Sequence, residues 1–381
     1  MRHVNLLNRW TRHFLTLIVL VTQICGVTTF VYSSRHRCFR QSGILRLYSS
    51  LILALVTIFL VINISKMFDR LPDVWPYLVG SIVMLVVRVR GFMDSQDIVE
   101  LLNQINEVLR QVKLMARHPN IFRLRHLLLL LLALQNLLRS LNMVVGISRY
   151  SEEAYDTLAN SFLLLILLGV LLSFLLQITI NICLFVVLIA SYNELHRCSR
   201  RISNDMDKLR QCQVLESGHF LVLVEQLRGI TERLMEGRSN IFQVTLRTIR
   251  HFRFHWLCAF IYGLMPFMCF TAIDQDGFYY LIISALNIIF PCSIFEILSG
   301  ESRTTRSFCS FNLINYHKAT DRTIDDLLHQ GILQRIRVTM YGITLDTKFL
   351  LKLLSICVFW AFVNRQGYLL HFHSPQIDPV I

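Results

Sequence analysis

The sequence predicts an all-α membrane protein with seven transmembrane helices and an extra N-terminal re-entrant or interfacial helix, with the N-terminus inside and the C-terminus outside. Hydrophobic residues make up 54% of the 381 residues, and the mean hydropathy is +0.50. Several unbroken apolar runs approach the ~20 residues that a membrane helix requires. The basic residues behind the net charge of +13 lie between these runs, where they act as topology signals and do not indicate a nucleic-acid partner.

Eight apolar segments follow one another along the chain. We expect the first to enter and leave on one side or to lie in the interface. Otherwise the basic head and the basic connector after it would lie on opposite faces, against the positive-inside bias. The segments are Phe14 to Tyr32, Ile44 to Ile64, Trp75 to Val87, Leu127 to Ile147, Phe162 to Tyr192, Trp256 to Ile273, Phe278 to Leu298 and Thr347 to Gln366.

The distribution of charge sets the predicted orientation. With seven crossings, 32 of the 38 Lys and Arg residues fall on the inner side, whereas the outer loops hold three: Lys66, Arg70 and Arg149. This orientation is opposite to that of a G-protein-coupled receptor. No linker rich in Pro, Gly or Ser divides the chain, so residues 1–381 are expected to form a single membrane domain.

The inner connections carry helical patterns of apolar residues, which predict cytoplasmic helix extensions over residues 94–125, 194–255 and 300–346. Asp94 or Ser95 is expected to cap the first of them. The stretch from Thr323 to Asp326 has the form of an acidic capping box that opens a further helix.

Residues for enzyme chemistry are not evident in the sequence. No nucleophile elbow, phosphate loop or paired carboxylates occur, so we expect no catalytic activity and no cofactor. His251 and His255 have the i, i+4 spacing of metal ligands, but Arg250 and Arg253 beside them would repel a cation. We therefore expect interfacial histidines and no metal site.

A polar helix face within the fourth apolar segment is more suggestive. Gln135, Arg139 and Asn142 lie on one face, and an arginine near mid-membrane needs a partner or a wet cavity. Three interpretations stay open: a buried polar lock with Gln177 or Asn181, the wall of a ligand pocket, or snorkelling.

Aromatic residues concentrate at the predicted outer ends of the helices. They are either an ordinary interfacial belt or the walls of a pocket for a small amphipathic ligand, open to the outside. The residues predicted to line this pocket are Trp75, Tyr77, Arg139, Asn142, Phe270, Asp274, Tyr279 and Tyr280.

The last apolar segment begins afresh at Thr347, because Gly342 can break one helix and Asp346 can cap the next. Phe359, Val363 and Gln366 follow one another at spacings of 4 and 3 and share a face. From its spacing alone, this face would meet lipid or the rest of the bundle.

This C-terminal layout resembles the signature of the insect gustatory receptor family, which ends in Thr-Tyr, five hydrophobic residues and Gln-Phe. Here Phe359 and Trp360 take the Thr-Tyr places, residues 361–365 the hydrophobic places, and Gln366 the glutamine. Gln366 is the one identical residue, and Gly367 stands where the family has Phe. The run from Ser191 to Leu195 resembles the family's close to its fourth span.

The resemblance implies a taste receptor subunit that acts as a ligand-gated cation channel. Four subunits, identical or related, would surround a central pore lined by residues 347–366. Phe359, Val363 and Gln366 would face this pore, with a hydrophobic constriction at Val363 and with Gln366 near the outer end. A small extracellular tastant would open it, in the plasma membrane of a sensory neuron. A G-protein-coupled-type receptor and a secondary transporter remain as alternatives.

Overall fold

The computed structural model describes residues 2–66, 71–115, 121–152, 158–211, 217–269, 275–303 and 318–372. Within these ranges the chain forms ten helices and two pairs of short antiparallel strands. In chain order they are α1 (Arg2–Ile24), β1 (Phe30–Ser33), β2 (Cys38–Gln41), α2 (Gly43–Lys66), α3 (Leu71–Met93), α4 (Ser95–Met115), α5 (Leu124–Glu152), α6 (Leu158–Gln211), α7 (Ser217–Cys269), α8 (Gln275–Arg303), α9 (Lys318–Leu333), β3 (Thr339–Met340), β4 (Ile343–Thr344) and α10 (Thr347–Phe372).

The first apolar segment, expected to run as one element to Tyr32, is divided. Helix α1 ends at Ile24, and β1 then pairs with β2, Phe30 opposite Gln41. Gly26 ends the helix with a φ of +62°, a conformation that glycine adopts without strain. Its carbonyl accepts hydrogen bonds from the Ser49 hydroxyl (2.6 Å) and from the buried Arg88 guanidinium, which tie the turn to α2 and α3.

Two very long helices form the centre of the fold. Helix α6 has 54 residues and α7 has 53, so at 1.5 Å per residue each is about 80 Å long. That length is more than twice the ~30 Å of a hydrocarbon core. Residues 181–195 of α6 are buried throughout, because α5, α7 and α8 all pack around them.

Two stretches in the described part of the chain are long and apolar enough to cross a membrane, Gly43–Ile62 of α2 and Leu171–Ile202 of α6. They differ in their surroundings. The stretch in α6 is mostly buried by the protein's own helices, whereas little of the stretch in α2 is buried and large side chains such as Leu47, Leu55 and Ile58 are exposed. The apolar surface of α2 therefore needs an apolar medium around it.

Helix α4 follows α3 directly and packs against α7. It begins at Ser95, where a cap was expected, and the Asp94 carbonyl accepts a hydrogen bond from the Ile98 N–H (3.0 Å). The Glu100 carboxylate binds Arg247 at 3.0 Å, so charged contacts join the two helices.

The prediction that Thr323 opens a helix is wrong. Helix α9 already runs from Lys318, which places Thr323 in its second turn. The five residues before Thr323 include no Pro or Gly, so nothing in them stops the helix from forming earlier.

Candidate functional site

The approach to the last helix is a two-residue β-hairpin. Thr339 pairs with Thr344 and Met340 with Ile343. Tyr341 and Gly342 form the turn, with φ angles of +48° and +89°. Positive φ at both central residues suits the right-handed twist of a tight hairpin. The sequence indicated a break at Gly342 but not this strand pair.

The strand before the turn shows which side faces the core. From Ile336 to Met340 buried and exposed residues alternate, with Ile336, Val338 and Met340 buried. A period of two is the mark of an extended segment with one covered face. In the sequence the same positions alternate between apolar and polar residues, and this pattern could have predicted the first strand of the hairpin.

Helix α10 begins where the sequence predicted. The Asp346 Oδ1 atom accepts a hydrogen bond from the Phe349 N–H at 2.8 Å, and the Leu350 N–H donates to the Asp346 carbonyl at 3.0 Å. Asp346 is therefore the N-cap of α10, as expected. Leu345 and Leu350 on either side of it are buried.

We call residues 336–350 the base of α10. Helix α8 binds Ile336, the first residue of this base, through two serines. The Ser299 hydroxyl donates to the Ile336 carbonyl (3.0 Å), and the Ile336 N–H donates to Ser302 Oγ (3.3 Å). Neither serine could be predicted from the sequence, because side-chain to backbone bonds between distant segments leave no periodic pattern.

Helix α7 covers another side of the base. The ring of Phe260 meets that of Phe349 edge-on at 6.4 Å, and the Arg253 guanidinium lies 5.2 Å above the Tyr341 ring. The base of α10 is thus packed between α7 and α8.

Charged side chains brace the end of α8 beside the base. Arg125 of α5 forms an ion pair with Glu301 at 2.9 Å, and the Arg238 guanidinium of α7 donates to the Ser302 carbonyl at 3.0 Å. Burial lowers the pKa of Arg238, and the nearby Tyr192 hydroxyl opposes this shift. The last turn of α8 is therefore fixed to α5 and α7 as well as to Ile336.

In the distal part of α10, residues 351–372, most of the side chains that the structure describes are exposed, although Cys357 is buried. The helix continues to Phe372, six residues beyond the predicted end of the span. All three predicted pore residues are exposed, Phe359 at 65% and Val363 at 41%, together with Gln366. Other large apolar side chains on the same part are also exposed: Ile356, Val358, Trp360 and Phe362. So much bare apolar surface requires lipid or another protein chain to cover it.

The residues of the predicted ligand pocket are distributed over three helices. Phe270 and Asp274 lie outside the described residues. Arg139 is exposed on α5. The others are placed only by their helix: Trp75 and Tyr77 in α3, Asn142 in α5, Tyr279 and Tyr280 in α8.

The polar lock suggested between Arg139 and Gln177 or Asn181 does not form, because Arg139 is exposed. Gln177 reaches α7 instead, where its Nε2 lies 3.0 Å from Nε2 of the buried His255. Gly91 of α3 makes this possible, since a Cβ atom there would lie 2.1 Å from the Gln177 amide nitrogen. Helix rotation, which the spacing of residues does not reveal, decided the partner.

His251 lies one turn before His255, with the two rings stacked at 6.4 Å. Burial lowers the pKa of His251, while Asp94 and Asp97 act in the opposite direction. Beside it a cavity of about 850 Å³ opens between α4 and α7, and its described lining is mostly polar and charged.

Comparison with known proteins identifies the family. Residues 15–358 match the family model described as 7tm chemosensory receptor. The chain is 69% identical to gustatory receptor-like 65a of Drosophila melanogaster, over 97% of this chain and the whole of that protein.

Solved structures share the fold. The olfactory receptor OR5 of Machilis hrabei in complex with eugenol is 11% identical with a TM-score of 0.56, and the alignment covers 96% of this chain and 99% of that one. The structure of OR5 described without eugenol is 12% identical with a TM-score of 0.57, covering 92% and 97%. At such low identity the likeness concerns the fold alone.

These findings agree with an all-α membrane protein whose family is not enzymatic in general. The chain belongs to the insect gustatory receptor family, and it is a chemosensory receptor of the membrane.

Proposed function

We propose that the chain is one subunit of a tetrameric, ligand-gated cation channel that a small extracellular tastant opens. The observation that carries this proposal is the contrast within α10. Its base is packed into the subunit's own bundle, while the face with Phe359, Val363 and Gln366 is left uncovered. A helix held at one end and bare at the other suits a pore-lining role, with identical or related subunits covering the bare face.

The gate of this channel is a ring of four Val363 side chains. A narrow apolar ring stays free of water and so closed to ions until the helices move apart. Gln366 lies nearly one turn further along the same face and offers a polar ring to a cation beyond the constriction.

The ligand binds in the outer half of the bundle, among the eight pocket residues predicted from the sequence. Support for a small-molecule ligand comes from the related fold of OR5, which was solved in complex with eugenol. A ligand that binds the open arrangement more tightly than the closed one shifts the population toward the open channel.

The same proposal includes the topology. Seven spans, with α1 embedded in or lying on the membrane, place the N-terminus and the base of α10 inside and the end of α10 outside. The excess of Lys and Arg in the inner segments supports this orientation. The location is then the plasma membrane of a sensory neuron.

Whole-cell recording tests the proposal. The chain is expressed alone and with candidate partner subunits, and eugenol, sucrose and quinine are applied as probes of three different chemistries. We expect a cation current evoked by at least one probe. If the wild-type protein reaches the cell surface but no combination of partner and probe evokes a current, the channel proposal is contradicted. Signals that need a G protein, or concentrative uptake of a probe, would instead favour the receptor or transporter alternative.

A further inference from the structure

The end of α8 holds both peptide groups of one residue. The Ser299 hydroxyl donates to the Ile336 carbonyl, and Ser302 Oγ accepts from the Ile336 N–H. The Ser302 hydroxyl itself donates a hydrogen bond to the Ser299 carbonyl, at 2.7 Å. A hydroxyl has one donor and two acceptor sites, so all three bonds can exist together. We call this pair of residues the serine clamp.

The clamp acts where regular structure is absent. Residues 334–338 lie between α9 and β3, outside any helix or strand. Ile336 is 0% exposed, so its peptide groups have no access to water. Leaving such a group without a partner costs about 1–3 kcal/mol. The two serines therefore satisfy both peptide groups of Ile336, as a neighbouring strand would, and they fix the position of Ile336 relative to α8.

On one side the clamp is joined to the region proposed to bind the ligand. Helix α8 begins at Gln275, carries Tyr279 and Tyr280 in its first turns, and ends one residue after Ser302. Pro291 lies between the two ends. Proline cannot donate the hydrogen bond that residue 291 would make to the carbonyl of residue 287, so the helix can bend there.

On the other side the clamp leads directly to the proposed gate. From Ile336 the chain passes through the β3–β4 hairpin and the Asp346 cap into α10. Val363 lies 16 residues after Thr347, which is about 24 Å along the helix at 1.5 Å per residue. A helix is stiff over that distance, so a shift or tilt of its base moves Val363.

We propose that Ser299 and Ser302 are the positioning residues that couple movement of α8 to the pore helix α10. When the ligand changes the bend of α8 at Pro291, the last turn of α8 carries Ile336 with it and the hairpin tilts α10. The contacts of Phe349 and Tyr341 with α7 are side-chain packing, along which the base slides. The coupling role rests on the proposed channel function, whereas the grip on Ile336 stands independently of it.

Hydrogen–deuterium exchange on the purified full chain tests the grip. In the Ser299→Ala, Ser302→Ala double variant we expect exchange of peptides covering residues 334–346 to rise at least tenfold. Ser293→Ala is the matched control, because that exposed serine of α8 bonds within its own helix to the Ile289 carbonyl at 2.9 Å. Ser299→Thr, which keeps the hydroxyl, should exchange like the wild type. Unchanged exchange in the double variant would overturn the proposal.

Current recording then tests the coupling, with whichever of eugenol, sucrose and quinine evokes the largest wild-type current. At equal surface expression we expect the double variant to need at least fivefold more probe for half-maximal current, and Ser293→Ala to stay within twofold. Ser299→Thr should again match the wild type. A wild-type concentration dependence in the double variant would overturn the coupling.

Failure of the channel function is distinguishable from failure of the clamp. If the wild type carries no current with any probe or partner, the channel proposal fails while hydrogen exchange still decides the grip on Ile336. If the wild type conducts and the double variant responds identically, the clamp alone fails. Val363→Ser can also be added to the double variant. A constitutive current in this triple variant would show that the pore is intact even though the response to the probe is lost.

Discussion

The base and the distal part of α10 both carry many apolar residues, but they lie in different surroundings. At the base, Leu345 and Leu350 are buried against the subunit's own helices, and two serines grip Ile336. In the distal part, Phe359 and Val363 are exposed. Apolar surface left bare by its own chain is surface reserved for a partner or for lipid. The buried base therefore anchors the helix, whereas the exposed distal part is available to a partner or to lipid.

The largest expected effect lies at the base. Leu345→Ala removes a buried side chain between the hairpin and α10, and it should lower the free energy of unfolding by about 2–5 kcal/mol. Ile343→Ala, two residues earlier on the exposed side of the hairpin, should change it by less than about 0.5 kcal/mol. Thermal unfolding of the purified protein in detergent measures both. Equal losses would show that the base is not packed as described.

The second effect belongs to the distal part. Val363→Ser makes the proposed constriction polar, and we expect the resting current to increase at least tenfold, equivalent to about 1.4 kcal/mol in the closed-to-open equilibrium. Val358→Ser is the control, since Val358 is also exposed but lies about 140° around the helix. An equal increase from the control would argue against a specific pore face.

A third change examines the hairpin turn. Gly342 has a φ of +89°, so Gly342→Ala should destabilise the protein by about 1–2 kcal/mol although nothing lies within 4 Å of the new Cβ. Gly229→Ala, inside α7 and also without close neighbours, should instead stabilise it by about 0.5–1 kcal/mol. Thermal unfolding distinguishes the signs, and a neutral Gly342→Ala would contradict the turn geometry.

The smallest effect concerns the cap of α10. Asp346→Ala removes the acceptor for the Phe349 N–H and should cost about 1 kcal/mol. Asp346→Asn keeps an acceptor oxygen and should cost only a few tenths of that. Hydrogen exchange in the first turn of α10 should rise for the alanine variant alone. A similar rise for both variants would point to the carboxylate charge and not to the hydrogen bond.

Local interactions were predictable because their partners are close in sequence. The Asp346 cap and the start of α4 at Ser95 depend on residues within one turn, and both agree with the structure. The hairpin was missed because its strands are only two residues long and a tyrosine occupies a left-handed position. The start of α9 was placed too late, since a capping pattern can also occur inside a helix.

The partner of Gln177 illustrates a different limit. One interpretation of Arg139 was a buried polar lock with Gln177 or Asn181, which required α5 and α6 to present these side chains to each other. The structure turns Gln177 toward His255 and Gly91, leaving Arg139 exposed. The eight proposed pocket residues depend on the same kind of information, and their roles stay predictions.

The sequence by itself determined the membrane class, the helical pattern and the fresh start of the last helix at Thr347, because these follow from apolar composition, periodicity and caps within a few residues. The tertiary structure alone decided that the base of α10 is gripped by Ser299 and Ser302 while Val363 is left bare. The rotation and contact of α7, α8 and α10 set those relations. They join residues far apart in the chain, where no spacing rule reaches.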